Sequence, residues 1–131
     1  MPFTINKIPN EPIIVVTLYD PFTVEDARQT AIDIQQYRSD DYVSFMISDA
    51  SQITSPFSQM VEIMGEVAGE GAGKINDPQM RVVSVGTDEM VKLSAEAYRQ
   101  EQYGSADVQI FSNVDEALTY VRRAYAKLNV K

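Results

Sequence analysis

The sequence predicts an α/β domain. It has a five-stranded, mostly parallel sheet opened by an antiparallel hairpin, with four helices mainly on one face, in the order ββαβαβαβα. Three observations lead there. Short β-branched segments alternate with segments of helical period, which is the pattern of strand–helix–strand units. The first two apolar segments are separated only by Pro9-Asn10-Glu11-Pro12, too short for a crossover and suited to a hairpin turn. The length, 131 residues and 14.7 kDa, is that of a single domain over residues 1–131.

Each element has its own local warrant. Phe3 to Ile8 alternates apolar and polar, as a half-buried strand does. Ile13 to Tyr19 is rich in β-branched residues and reads as a buried strand ended by Asp20-Pro21. Thr23 is placed to cap the first helix, with Asp26 three residues on as its capping-box partner. Val24, Ala27, Ala31, Ile34 and Tyr37 or Arg38 then recur at helical spacing, and Ser39-Asp40-Asp41 closes the helix. Tyr42 to Ser48 is the third strand, followed by a loop from Asp49 to Thr54.

Ser55-Pro56 is a strong helix start, a capping hydroxyl followed by proline at the first helical position. Phe57, Met60, Val61, Met64, Val67 and Ala68 form the stripe of that second helix. Gly69, Gly71 and Gly73 end it and open a mobile loop through Pro78. Arg81 to Gly86 is the fourth strand, and Thr87 or Asp88 caps a third helix from about Glu89 to Gln102. Val108 to Phe111 is a short fifth strand. Asn113 caps the last helix, with Glu116 as its partner and Val114, Leu118, Val121, Tyr125 and Leu128 on its apolar stripe.

Right-handed crossovers between successive neighbouring strands place their helices on one face. One choice of parity gives that face a purely apolar set: Ile14, Val16, Leu18, Val43, Phe45, Ile47, Val83, Val85, Val108 and Ile110. The other parity is mixed. Its apolar members Ile13, Val15, Tyr19, Met46, Val82 and Phe111 are then candidates for an uncovered face. Such a patch marks an interface, so a homodimer is expected, through this face or through the edge strand from Phe3 to Ile8.

Composition narrows function further. Cysteine and histidine are both absent, which excludes disulfides, thiolate nucleophiles, His-based triads and Cys- or His-bound metal. The formal net charge is −8 with a pI near 4.4, so nucleic acid and anionic membranes are not expected partners. The start of the chain lacks the basic and apolar regions of a signal peptide. The longest aliphatic run, Ile13 to Val16, is far short of a membrane span. A cytoplasmic protein is expected.

The element order resembles the STAS-domain family, the anti-sigma-factor antagonists and their SpoIIAA-like relatives, over almost the whole chain. Phe45-Met46-Ile47-Ser48-Asp49-Ala50-Ser51-Gln52-Ile53-Thr54 is similar to that family's hydrophobic strand followed by Asp-Leu-Ser-Gly-Val-Thr. Ile110 to Leu118 resembles its final strand running into Asp-Glu-Ala-Leu. Regulated members carry Asp-Ser-Ser-Gly at the start of the second helix, where a partner kinase phosphorylates a serine. Here the matching place reads Thr54-Ser55-Pro56-Phe57-Ser58, with hydroxyls at Ser55 and Ser58 but without the Asp and Gly. The resemblance therefore implies a branch of the SpoIIAA-like fold lacking that motif.

Asp49, Ser51, Ser55 and Ser58 are accordingly the candidate partner-binding or phospho-acceptor residues. A phosphate at a helix N-terminus would face free N–H groups and the positive end of the dipole, although capping alone accounts for Ser55-Pro56. Gly69 to Lys74 is no phosphate loop, because position 75 is Ile and a helix rather than a strand precedes it. Glu62, Glu66 and Glu70 make a helical row that reads as a solvated face. Arg122, Arg123, Lys127 and Lys131 complement the dipole of the last helix. Tyr98 and Tyr103 are equally suited to an interface and to a core edge.

The expected function is thus a non-catalytic regulatory or protein-interaction module. It would act through the loop after the third strand and the start of the second helix, on a protein partner and without cofactor or metal. The alternative is a carrier of a small apolar ligand or lipid, with Met60, Met64, Met80 and Met90 lining an adaptable pocket.

Overall fold

The computed structural model describes residues 3–20, 22–37, 42–53, 80–86, 96 and 108–128. They form one sheet with the strand order β1-β2-β3-β4-β5. The strands are β1 (Phe3–Lys7), β2 (Ile13–Tyr19), β3 (Ser44–Gln52), β4 (Met80–Val85) and β5 (Gln109–Phe111). β1 pairs antiparallel with β2, and every later pairing is parallel. The helices are α1 (Val24–Asp33), continued by a 3-10 turn over Ile34–Tyr37, and α2 (Val114–Leu128). No helix among the described residues is long and apolar enough to cross a membrane.

The hairpin turn forms as its residues dictate. Asn10 takes the left-handed conformation at φ 64°, which asparagine tolerates better than most residues. The Ile8 amide donates to the Ile13 carbonyl at 2.9 Å, closing the turn. The Lys7 ammonium folds over it and donates to the carbonyls of Ile8 and Glu11. Pro12 offers no amide, but its carbonyl accepts from the Phe45 amide at 2.8 Å and so starts the β2–β3 ladder.

Both described helices begin on the caps read from the sequence. The Asp26 amide donates to Thr23 Oγ1 at 3.2 Å, and the Thr23 amide donates to Asp26 Oδ2 at 2.9 Å, a complete capping box. At α2 the Glu116 amide donates to Asn113 Oδ1 at 2.9 Å. The Glu116 carboxylate reaches one residue further back, to the Ser112 amide, rather than to the cap itself. α1 is shorter than its apolar period suggests. It tightens after Asp33 into the 3-10 turn, whose Ile34 is buried beside Ile14, Val16 and Met80.

Four helices mainly on one face are predicted; the described residues hold the first and the last of them, and the stretches for the second and third lie outside the described residues except for Glu96, which is helical. One expectation is corrected: α1 and α2 do not share a face but lie on opposite faces of the sheet. α1 and its 3-10 turn cover Ile14, Val16, Leu18 and Ala50. α2 covers Ile13, Val15, Phe45, Ile47, Val83 and Val85 with Ala117 and Val121. The reason is topological. α1 is a crossover between neighbouring parallel strands, so its side is set by handedness. α2 follows the last strand, crosses to nothing, and is free to close the remaining apolar face.

The parity assignment falls with it. Ile13 pairs with Phe45, and Val15 with Ile47. Phe45, Ile47, Val83 and Val85 therefore share a face with Ile13 and Val15, not with Ile14 and Val16. Both faces of β2 are apolar because both are covered. The uncovered face expected from Ile13, Val15, Tyr19, Met46, Val82 and Phe111 does not exist as a patch. Ile13 and Val15 are buried, and Phe111 packs on the α2 side against Tyr120, ring centroids 5.1 Å apart. Met46 packs on the opposite face with Ile14 and Ile34. A dimer through that face has lost its basis.

Candidate functional site

The third strand does not stop at Ser48. Asp49 stands opposite Thr17 on one side and Val85 on the other, so the ladder carries β3 on to Gln52. The expected loop from Asp49 is thus strand for four residues, Asp49 to Gln52. A polar tail looks like a loop in sequence, but β4 pairs with this strand as far as Asp49 and β2 pairs again at Gln52.

Near its end the register slips. Thr17 pairs with Asp49, yet Tyr19 pairs with Gln52, so β3 carries one extra residue there. This is a bulge, which breaks the ladder locally and re-aims side chains. Asp49 satisfies the displaced backbone. Its Oδ1 accepts from the Ser51 amide at 3.0 Å and from the Ser51 hydroxyl at 2.6 Å. The short hydroxyl bond is of the charge-assisted kind. The Ile53 amide then donates to the Ala50 carbonyl at 3.1 Å and turns the chain. Ala50 and Ile53 are buried with Phe3, Phe22 and Ala27, which ties the turn to the core.

Two of the four candidate residues are therefore brought together. Asp49 is half-buried and Ser51 exposed, joined by side-chain and backbone bonds. Ser55 and Ser58 lie outside the described residues. The Asp49–Ser51 pair sits at the carboxyl edge of the parallel strands. Exposed Tyr19, Gln52, Ser112 and Asn113 share that edge, at the ends of β2, β3 and β5. Gly86 closes it at β4, its amide donating to the Phe111 carbonyl at 2.9 Å. The arrangement offers hydroxyl, amide and phenol groups on a backbone fixed by hydrogen bonds.

Other expectations find their place away from this edge. Met80 is 5% exposed within the Ile14, Val16 and Ile34 cluster, where it fills core; Met60, Met64 and Met90 lie outside the described residues. Among the described residues no three His, Cys, Asp or Glu side chains converge as a metal site would require. Arg122 does more than complement a helix dipole. Its guanidinium donates from Nε and a terminal nitrogen to the two carboxylate oxygens of Glu11, each at 3.0 Å. That pair holds the Glu11 carboxyl below its usual range and raises Arg122.

Two features escape sequence reasoning. The Glu11–Arg122 pair joins residues 111 positions apart and leaves no local signal. Ser44 is 1% exposed, and its hydroxyl has no hydrogen-bond partner among the described residues. Its placement on the mixed parity of β3 was visible, but not that this parity would be covered.

No protein-family model and no curated protein matches the chain. Among solved structures it is similar to the NMR structure of the protein TM1081, with a TM-score of 0.60 and 15% sequence identity. The likeness covers 92% of this chain and 89% of that one, so the two share a fold over nearly their full lengths.

Proposed function

We propose that this chain is a non-catalytic regulatory module of the SpoIIAA-like, STAS-like type, acting in the cytoplasm by binding a protein partner. Contact is made through the carboxyl end of β3, the segment after it and the start of the predicted second helix. The observation that carries this reading is the Asp49–Ser51 bulge. A hydrogen-bonded bulge at the end of a central strand presents polar groups from a rigid base, which is how scaffolds position recognition loops. Ser51 serves in that framework rather than as a phosphate acceptor. A phosphate there would lose the bond to Asp49 and sit beside its negative charge. The acceptor role passes to Ser55 or Ser58.

The test is affinity capture from host-cell extract with the wild-type chain and with Ser51→Arg, Gln52→Arg and Arg123→Glu. All three positions are exposed, so the variants fold, as circular dichroism would verify. A protein retained by wild type and by the Arg123 variant, but lost with both edge variants, supports the reading. Equal capture by all four chains, or none by any, overturns it.

A further inference from the structure

We infer that two copies of this chain pair edge to edge through β1, antiparallel about Ile5, joining their sheets into one. β1 is an outer strand, and no strand lies beyond it among the described residues. Natural edge strands are blunted by a bulge, an internal proline or a charge that repels a second strand. Among the described residues β1 shows neither a bulge nor a proline. Its register with β2 is unbroken from Phe3 to Lys7, and no proline lies within it. Its one charge, Lys7, is drawn back onto the carbonyls of Ile8 and Glu11 at the turn.

The strand is also complementary to itself. About Ile5, Thr4 faces the second copy's Asn6 and Phe3 faces its Lys7, so no like charges stand opposite. The two Lys7 residues are then offset by about 13 Å along the strands, beyond the screening length of about 8 Å at physiological salt. The chain carries −8, yet β1 contains no acidic residue. Two copies can meet along this strand without opposing carboxylates. The sheet face expected as the other candidate is no single exposed patch, since Ile13 and Val15 are buried against α2 and Met46 packs on the opposite face. Two short strands bury less than the roughly 1,200 Å² of a stable interface, so the dimer is weak and concentration-dependent.

Sedimentation velocity of the full chain from low micromolar to submillimolar concentration tests this, with two double variants at the exposed positions of β1. Thr4→Lys with Asn6→Lys sets like charges opposite each other across the dyad. Thr4→Glu with Asn6→Lys sets each new carboxylate opposite a new ammonium. The first should weaken the dimer roughly tenfold and the second tighten it several-fold, since cross-strand charge pairs act at this level. A fold defect would weaken both alike. Strictly monomeric behaviour at every concentration, or a dimer moved in the same direction by both variants or by neither, would overturn the proposal.

Discussion

Arg122 clasps Glu11 with two parallel hydrogen bonds of 3.0 Å, tying the C-terminal helix to the turn of the first hairpin. The pair is partly exposed, so salt screens it, but its fork geometry is the favourable one for a guanidinium. Arg122 lowers the Glu11 carboxyl from its ordinary value of 4.5. A carboxyl depressed in the folded state contributes stability that is present above its unfolded value and lost as pH falls through the folded one. Carboxyl NMR titration should therefore show Glu11 below 4.5, returning toward it in Arg122→Ala. Arg122→Lys should recover only part of the shift, because an ammonium cannot make the paired contact.

Ser44 should be dispensable for stability. Its buried hydroxyl has no partner among the described residues, and an unbonded hydroxyl pays for desolvation and gains nothing in return. Ser44→Ala should leave stability unchanged or raise it by up to about 1 kcal/mol in urea denaturation. A loss of that size would show that the hydroxyl is bonded after all.

The caps should be worth what their geometry promises. Thr23→Ala removes the acceptor for the Asp26 amide and should cost about 0.5–2 kcal/mol, with Thr23→Asp close to wild type. Asn113→Ala should cost a similar amount at α2. Equilibrium unfolding of the three variants measures both.

Exposure, not hydrophobicity, should rank the isoleucines. Ile47 is fully buried between the sheet and α2, whereas Ile32 is 65% exposed on α1. Ile47→Ala should cost about 2–5 kcal/mol, and Ile32→Ala within about 0.5 kcal/mol of zero. Comparable losses at both would mean that Ile32 is covered in solution.

Asp49 should protect one particular amide. In Asp49→Ala the Ser51 N–H loses its acceptor, so its hydrogen exchange should accelerate while that of buried Val16 stays slow. Unchanged exchange at Ser51 would show that another group receives it.

What the sequence determined by itself is what short-range chemistry specifies. The hairpin turn at Pro9 to Pro12, the capping box at Thr23 and Asp26, the cap at Asn113 and the strand cores of β2, β4 and β5 all follow from neighbours within a few positions. The tertiary structure decided whatever depends on distant partners. Register is one such property, because shifting a strand by one residue exchanges its faces; pairing Ile13 with Phe45 rather than Ile14 reassigned the core. The side taken by α2 is another, since a helix after the last strand is bound by no crossover rule and goes where apolar surface remains. The extension of β3 through Asp49 is a third. Its residues have weak strand preference; β4 holds the strand only as far as Asp49 and β2 picks it up again at Gln52, which keeps Asp49 and Ser51 on the sheet instead of in a loop.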